Sequence, residues 1–164
     1  MSKLKPLKNQ ISYVLNYAMQ VLDKAIQLIP DDKLDFKPVD EVMSITDLPI
    51  HIYMATLVFT AGILKGEFNN EDYSLIPFDS ENIKSAVEIV EFGKKVKDYA
   101  RDALEKFTEA DLDKEITYNC WGGFKMTGAR SLHILHEETI HHRGQLFVYL
   151  RSLGIEPPFI YGFD

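Results

Sequence analysis

Leu7, Ile11, Val14, Ala18, Val21, Ala25 and Leu28 alternate steps of four and three residues through three heptads. That stripe limits the possible folds more than any other feature. It predicts one long helix over residues Leu4 to Ile29, packed at a shallow angle inside a left-handed bundle. Leu15, Leu22 and Ile29 widen the buried face, and Pro30-Asp31-Asp32 ends the helix. A second helix is expected from Ser44 or Asp47 to Gly66. Ser44 and Asp47 have capping-box spacing, and Pro49 is tolerated only near a helix start. Its inward row reads Leu48, His51, Ala55, Val58, Gly62. The third helix is expected over residues Ser80 to Phe107, with Ile89, Phe92, Val96, Tyr99 and Ala103 inward. The fourth starts behind a Thr127 cap and ends near Leu153, with Gly154 past its end and Pro157-Pro158 barring continuation.

Four amphipathic helices joined by long connections (residues 30–43, 67–79 and 108–127) predict an all-α four-helix bundle, a single domain spanning 1–164. The last connection carries Cys120, Trp121 and Phe124 around Gly122-Gly123. These apolar residues are expected to fold over the end of the bundle. The net charge of −7 and pI near 5.2 argue against a nucleic-acid partner. No apolar run is read as a membrane span, and MSKLKPLKNQ lacks the apolar block of a signal peptide. With Cys120 the lone cysteine, no internal disulfide is possible, and a reducing cytoplasm is the expected compartment.

The inward row of the fourth helix is Leu132, Leu135, Thr139, His142, Leu146, Tyr149, Leu153. A histidine stands where the pattern asks for an apolar residue, and Glu138 lies one turn before it on the same side. His51 interrupts the second helix in the same way. Each can be read singly as a buried ring satisfied by a neighbour. Together, two imidazoles and a carboxylate from facing helices make a three-donor set that leaves positions open on a divalent metal, whether zinc, nickel or iron. The natural chemistry is metal-assisted hydrolysis or thiol transfer.

The same residues set the topology. His51 lies roughly 6–10 Å from the start of its helix and His142 about 17 Å from the end of its own, at 1.5 Å per residue. They meet at one level when the second and fourth helices are antiparallel, which selects up-down-down-up. The second connection must then run the length of the bundle, and its residues can span about 43 Å when extended. A zinc-protease motif is excluded, because His136 and His141 are five apart and do not share a helix face. His133, Glu137 and His141 do share one, but it is rotated from the core and suits a polar flank or subunit contact, with a second metal site the lesser alternative. Mid-helix Gly144 suggests a close helix approach. Cys120 is read as a small buried residue, with a role as ligand or nucleophile the lesser alternative.

The run His141-His142-Arg143-Gly144-Gln145-Leu146, followed by Gly154 and Pro157, resembles the C-terminal signature of the DinB-like family. Ile29-Pro30-Asp31 through Lys37-Pro38, the Ser44 to His51 segment and the closing Tyr161-Gly162 are similar to that family as well. The resemblance implies a four-helix-bundle metalloprotein related to bacterial thiol-dependent transferases. It also implies a metal set of one histidine on the second helix and two, four residues apart, on the fourth. His51 and His142 match, whereas Glu138 stands where the family has histidine.

The expected ligands are therefore His51, Glu138 and His142. Glu138 is alternatively a base beside a two-histidine metal, His141 is a weaker catalytic candidate, and Arg143 and Gln145 are expected around the site. A small-molecule substrate is expected, with a low-molecular-weight thiol as candidate partner and a homodimer as the candidate assembly. The rival reading is a non-catalytic stress-response or interaction bundle with a structural polar core.

Overall fold

The structure, a computed structural model, describes residues 2–161. Gly162, part of the closing dipeptide noted above, lies outside them. The N-terminal helix consists of α1 (Leu4–Tyr13), a π-helical turn (Val14–Ala18) and α2 (Met19–Ile26). The wider turn adds a residue to one winding, so Leu15, Met19, Leu22 and Ile26 are buried as deeply as the predicted stripe. The helix stops short of the expected Ile29, and Leu28, the last member of the stripe, is exposed. The other long helices are α3 (Asp47–Lys65), α4 (Ala86–Lys106) and α6 (Gly128–Ser152), with a short α5 (Glu109–Asp113) before the last. Helix α4 begins six residues later than Ser80, because the chain first turns at residues 80–82 and Ser85 is still extended.

The caps follow the chemistry of the sequence. Ser44 N–H donates to Asp47 Oδ2 and Asp47 N–H to Ser44 Oγ, both at 3.1 Å, a reciprocal pair at the start of α3. Arg130 N–H donates to Thr127 Oγ1 at the start of α6. At its end Gly154 has φ +77°, with Ile155 N–H donating to Leu150 O and Gly154 N–H to Arg151 O.

The bundle is up-down-down-up. Lys8 reaches Glu105 O, Asn16 meets Arg101 and Asp23 meets Lys97, so α4 runs against the N-terminal helix. Tyr53 packs on Phe92 near the start of both α3 and α4, and Lys65 lies beside Tyr99 further along, so these two are parallel. His51 meets Glu138, while Phe59 reaches Ser131 through Tyr118, so α3 and α6 are antiparallel. The return from α3 to α4 is closed by Phe78 stacked on Phe92.

The last connection is more ordered than the sequence reading allowed. It forms a hairpin of β2 (Glu115–Tyr118) and β3 (Phe124–Thr127), and β1 (Glu67–Phe68) adds to β2 in parallel. Ile116 and Tyr118 point inward, and Tyr118 seats against Gly62 and Phe59. Helix α3 also corrects the count of apolar runs. It is long and apolar enough to cross a membrane, yet 78% of that window is buried inside the fold.

Two mid-helix glycines behave oppositely. A Cβ on Gly93 would fall inside the Tyr53 ring, so Gly93 permits the close approach of α3 and α4. A Cβ on Gly144 meets nothing within 4 Å, so the close approach expected there is absent. Gly93→Ala is therefore expected to cost about 1–3 kcal/mol through overpacking. Gly144→Ala should gain about 0.5–1 kcal/mol through helix propensity. Urea melts of both variants check the signs, and two effects of the same sign would contradict this packing.

Candidate metal centre

One turn into α3 the chain places His51, and midway along α6, on one face, it places Glu138 and His142. Glu138 Oε2 lies 3.0 Å from His51 Nε2 and 3.0 Å from His142 Nε2. The two rings stand almost perpendicular, with centroids 4.8 Å apart. One donor atom from each of the three residues lies within 4.8 Å of the other two, so a contraction of under about 1 Å brings them to the roughly 4 Å or less that bonds of about 2 Å to a single ion require. His142 is buried, with only 10% of its side chain exposed, while His51 and Glu138 are about a third exposed at 30% and 32%. The set thus has a closed back and an open front.

The hydrogen bonds to His142 and His51 hold the Glu138 carboxyl well below the usual carboxylate range. Its bond to Glu138, against the opposing effect of burial, raises the His142 imidazole above its ordinary value. Gln145, one turn on, accepts from His142 Nδ1 at 2.5 Å. That bond holds a proton on Nδ1 and orients the ring so that Nε2 faces Glu138, the usual way a protein aims a ligating imidazole.

The other histidines and Arg143 lie elsewhere. His141 is exposed, its ring edge-on to His142, and its nitrogens are not among the donors gathered here. Arg143 is half-buried on the side of the N-terminal helix, where its charge faces Tyr13 rather than the cluster. His136 pairs with Gln10 at 3.0 Å, and His133 is exposed. Cys120 is buried and bonded to Tyr73, and burial pushes its thiol up, away from the thiolate that a nucleophile requires.

Sequence reasoning missed what covers the cluster. The hairpin turn at Cys120–Gly123 closes with Gly123 N–H on Cys120 O, and Trp121 takes a left-handed φ of +49° at its corner. A bulky residue there is costly and is held by its contacts. The indole lies 5.7 Å from the His51 ring, 6.2 Å from Phe59 and 6.4 Å from Phe124. Beneath it is a cavity of about 340 Å³ whose polar edge is His51 and Glu138. On the other side of Trp121 a second hollow, about 410 Å³, reaches His51 past Met54 and Tyr73. The alternation Ile116, Tyr118 and then Phe124, Met126 about Gly122-Gly123 was the available signal for this hairpin.

A sequence model of the DinB family matches residues 4–164. The chain belongs to the DinB family. Among its relatives, the YjoA protein of Bacillus subtilis strain 168 is 31% identical over 153 residues, covering 92% of this chain and 94% of that one. The crystal structure of the DinB-like YjoA superposes with a TM-score of 0.71 over 93% of this chain and 98% of that chain, at 28% identity. A DinB-like protein of Bacillus cereus superposes with a TM-score of 0.68 at 25% identity, covering 88% of this chain and 91% of its own. YfiT of Bacillus subtilis, described as a probable metal-dependent hydrolase with an unusual four-helix bundle topology, superposes with a TM-score of 0.67 at 11% identity. It covers 95% of this chain and 91% of its own, and at that identity the likeness is one of fold.

Proposed function

We propose that this DinB-family chain holds one divalent metal through His51 Nε2, Glu138 Oε2 and His142 Nε2, and catalyses hydrolysis or thiol transfer on a small molecule. The observation that carries the reading is the convergence of three metal-type donors from two helices, two of them, His51 and Glu138, at the edge of an open cavity. Two imidazoles and a carboxylate suit zinc, nickel or ferrous iron alike. A bound divalent ion supplies Lewis acidity, which makes a water or thiol beside it reactive near neutral pH.

The chain's own groups divide the remaining work. Glu138 Oε2 sits between the two imidazole nitrogens, so Glu138 serves as ligand rather than base. Gln145 keeps His142 turned toward the donors, and Trp121 screens the open side from solvent. The test begins with protein purified without a histidine tag, and its metal content is measured. Turnover is then assayed on esters and amides, and on thiol–electrophile pairs. Stoichiometric metal and turnover, both lost in His142→Ala, support the reading. A chain that cannot be loaded, or turnover indifferent to His142→Ala, overturns it.

A pH dependence follows from His142. Its proton is held more tightly than that of a free imidazole, and a metal at Nε2 must displace it. Affinity should therefore fall as pH is lowered through the raised His142 value, and binding should release protons. Calorimetry between about pH 8 and about pH 6, in buffers of different ionisation enthalpy, checks both. Affinity that stays flat over that range would count against His142 as a ligand.

A further inference from the structure

The cavity beside the cluster has a chemical character of its own. Its walls are Ala55, Phe59, Trp121, Phe124, Met126 and Ile134, with polar groups only where His51 and Glu138 form the edge. No lysine or arginine lines it. The nearest cations in sequence are turned elsewhere: Lys125, between two wall residues on β3, pairs with Glu115, and Arg130 reaches toward Glu137. A charged group would find no lysine or arginine along these walls to pair with, whereas an apolar one gains by leaving water. About 340 Å³ is also more than twice the roughly 150 Å³ in which a buried apolar cavity takes up benzene.

Trp121 adds an independent observation. Nothing in hairpin chemistry favours tryptophan at a left-handed corner, where glycine, asparagine or aspartate is the usual choice. The chain accepts that strain, and the result is an indole half open to solvent, stacked with Phe124 and roofing the cavity. Strain kept in place by contacts marks a residue held for its face.

From the apolar aromatic walls, free of lysine and arginine, we propose that this cavity binds the uncharged, apolar part of the substrate, an aromatic or branched aliphatic group of about two rings, under the Trp121 indole. The reaction beside it rests on the metal reading above, but the pocket's selectivity does not need the metal.

Trp121 is the chain's single tryptophan, so it reports on its own site. The probes are neutral N-phenyl-1-naphthylamine and the anionic 1-anilinonaphthalene-8-sulfonate, titrated with excess chelator and again with zinc. The expected result is one-to-one quenching of Trp121 by the neutral probe, at least ten-fold tighter than by the anion under excess chelator, with neutral-probe binding retained when zinc is added. Ile134→Lys, at a half-exposed wall position, should weaken the neutral probe ten-fold or more, read by the probe's own emission, and leave the thermal melt unchanged. Met126→Glu is the second variant should the first destabilise the fold. No quenching, equal affinity for both probes, or full binding by both variants overturns the proposal. Probe selectivity in a chain that takes up no zinc would sink the metal reading alone. Zinc uptake without probe binding would sink the pocket alone.

Discussion

Glu138→Ala is expected to abolish the metal binding proposed for this chain. Glu138 is the sole anion of the donor set, and its Oε2 lies at 3.0 Å from both imidazole nitrogens, so its removal takes away charge and geometry together. Loss of an outer hydrogen-bonding partner alone costs about 10–100-fold in metal affinity, and loss of a ligand should exceed that. The informative companion is Glu138→His. That change installs the histidine which the family resemblance implied four residues before His142, and it should restore binding that alanine abolishes. Affinities by competition with a chromophoric chelator check both. Wild-type affinity in Glu138→Ala would remove the carboxylate from the site.

Asp23→Ala should give the largest loss of stability. Lys97 is buried on α4, and its ammonium pairs with Asp23 on the N-terminal helix, which also accepts from the Tyr53 hydroxyl on α3. Burial and the neighbouring Asp23 raise the Tyr53 hydroxyl well above its ordinary value, so it stays a donor. Three elements are tied at this one point, with side-chain exposures of 9% for Lys97 and 17% for Asp23. Removing the aspartate leaves a buried charge without a partner, which costs about 3–5 kcal/mol. In a domain of this size Tm should drop by roughly 6–20 °C. Adding Lys97→Met should recover much of the loss, since a buried pair replaced by apolar groups is often neutral. A single variant that melts within about 2 °C of wild type would show that the pair carries no weight. Tyr53 lies two residues beyond His51, so this knot also sets where α3 presents the histidine.

The bundle was legible because burial along a helix repeats with a short period. Ile11, Val14, Ala18 and Ala25 announce their own face. His51 and His142 stood out as polar breaks in such faces, and their levels along the helices were enough to choose the topology. The Asp23–Lys97–Tyr53 knot was not legible, since a lysine among the many charges of α4 looks solvated until its neighbours are known. Neither was Gly144, for no spacing distinguishes a glycine that admits a neighbour from one that faces open space. The hairpin lay between these cases. Its alternation is present in Ile116–Tyr118 and Phe124–Met126, but four-residue strands offer too few repeats to outweigh a loop reading. Because the hairpin supplies Trp121, the cavity beside the cluster went unseen with it.

The most direct test of the central claim is to locate the ion. Crystals of protein loaded with zinc, measured on both sides of the zinc absorption edge, should show one anomalous peak about 2 Å from His51 Nε2, Glu138 Oε2 and His142 Nε2 together. A loaded crystal with its zinc bound elsewhere, at His133 and His141 for instance, and the Glu138 carboxylate still hydrogen-bonded to both imidazoles would contradict it.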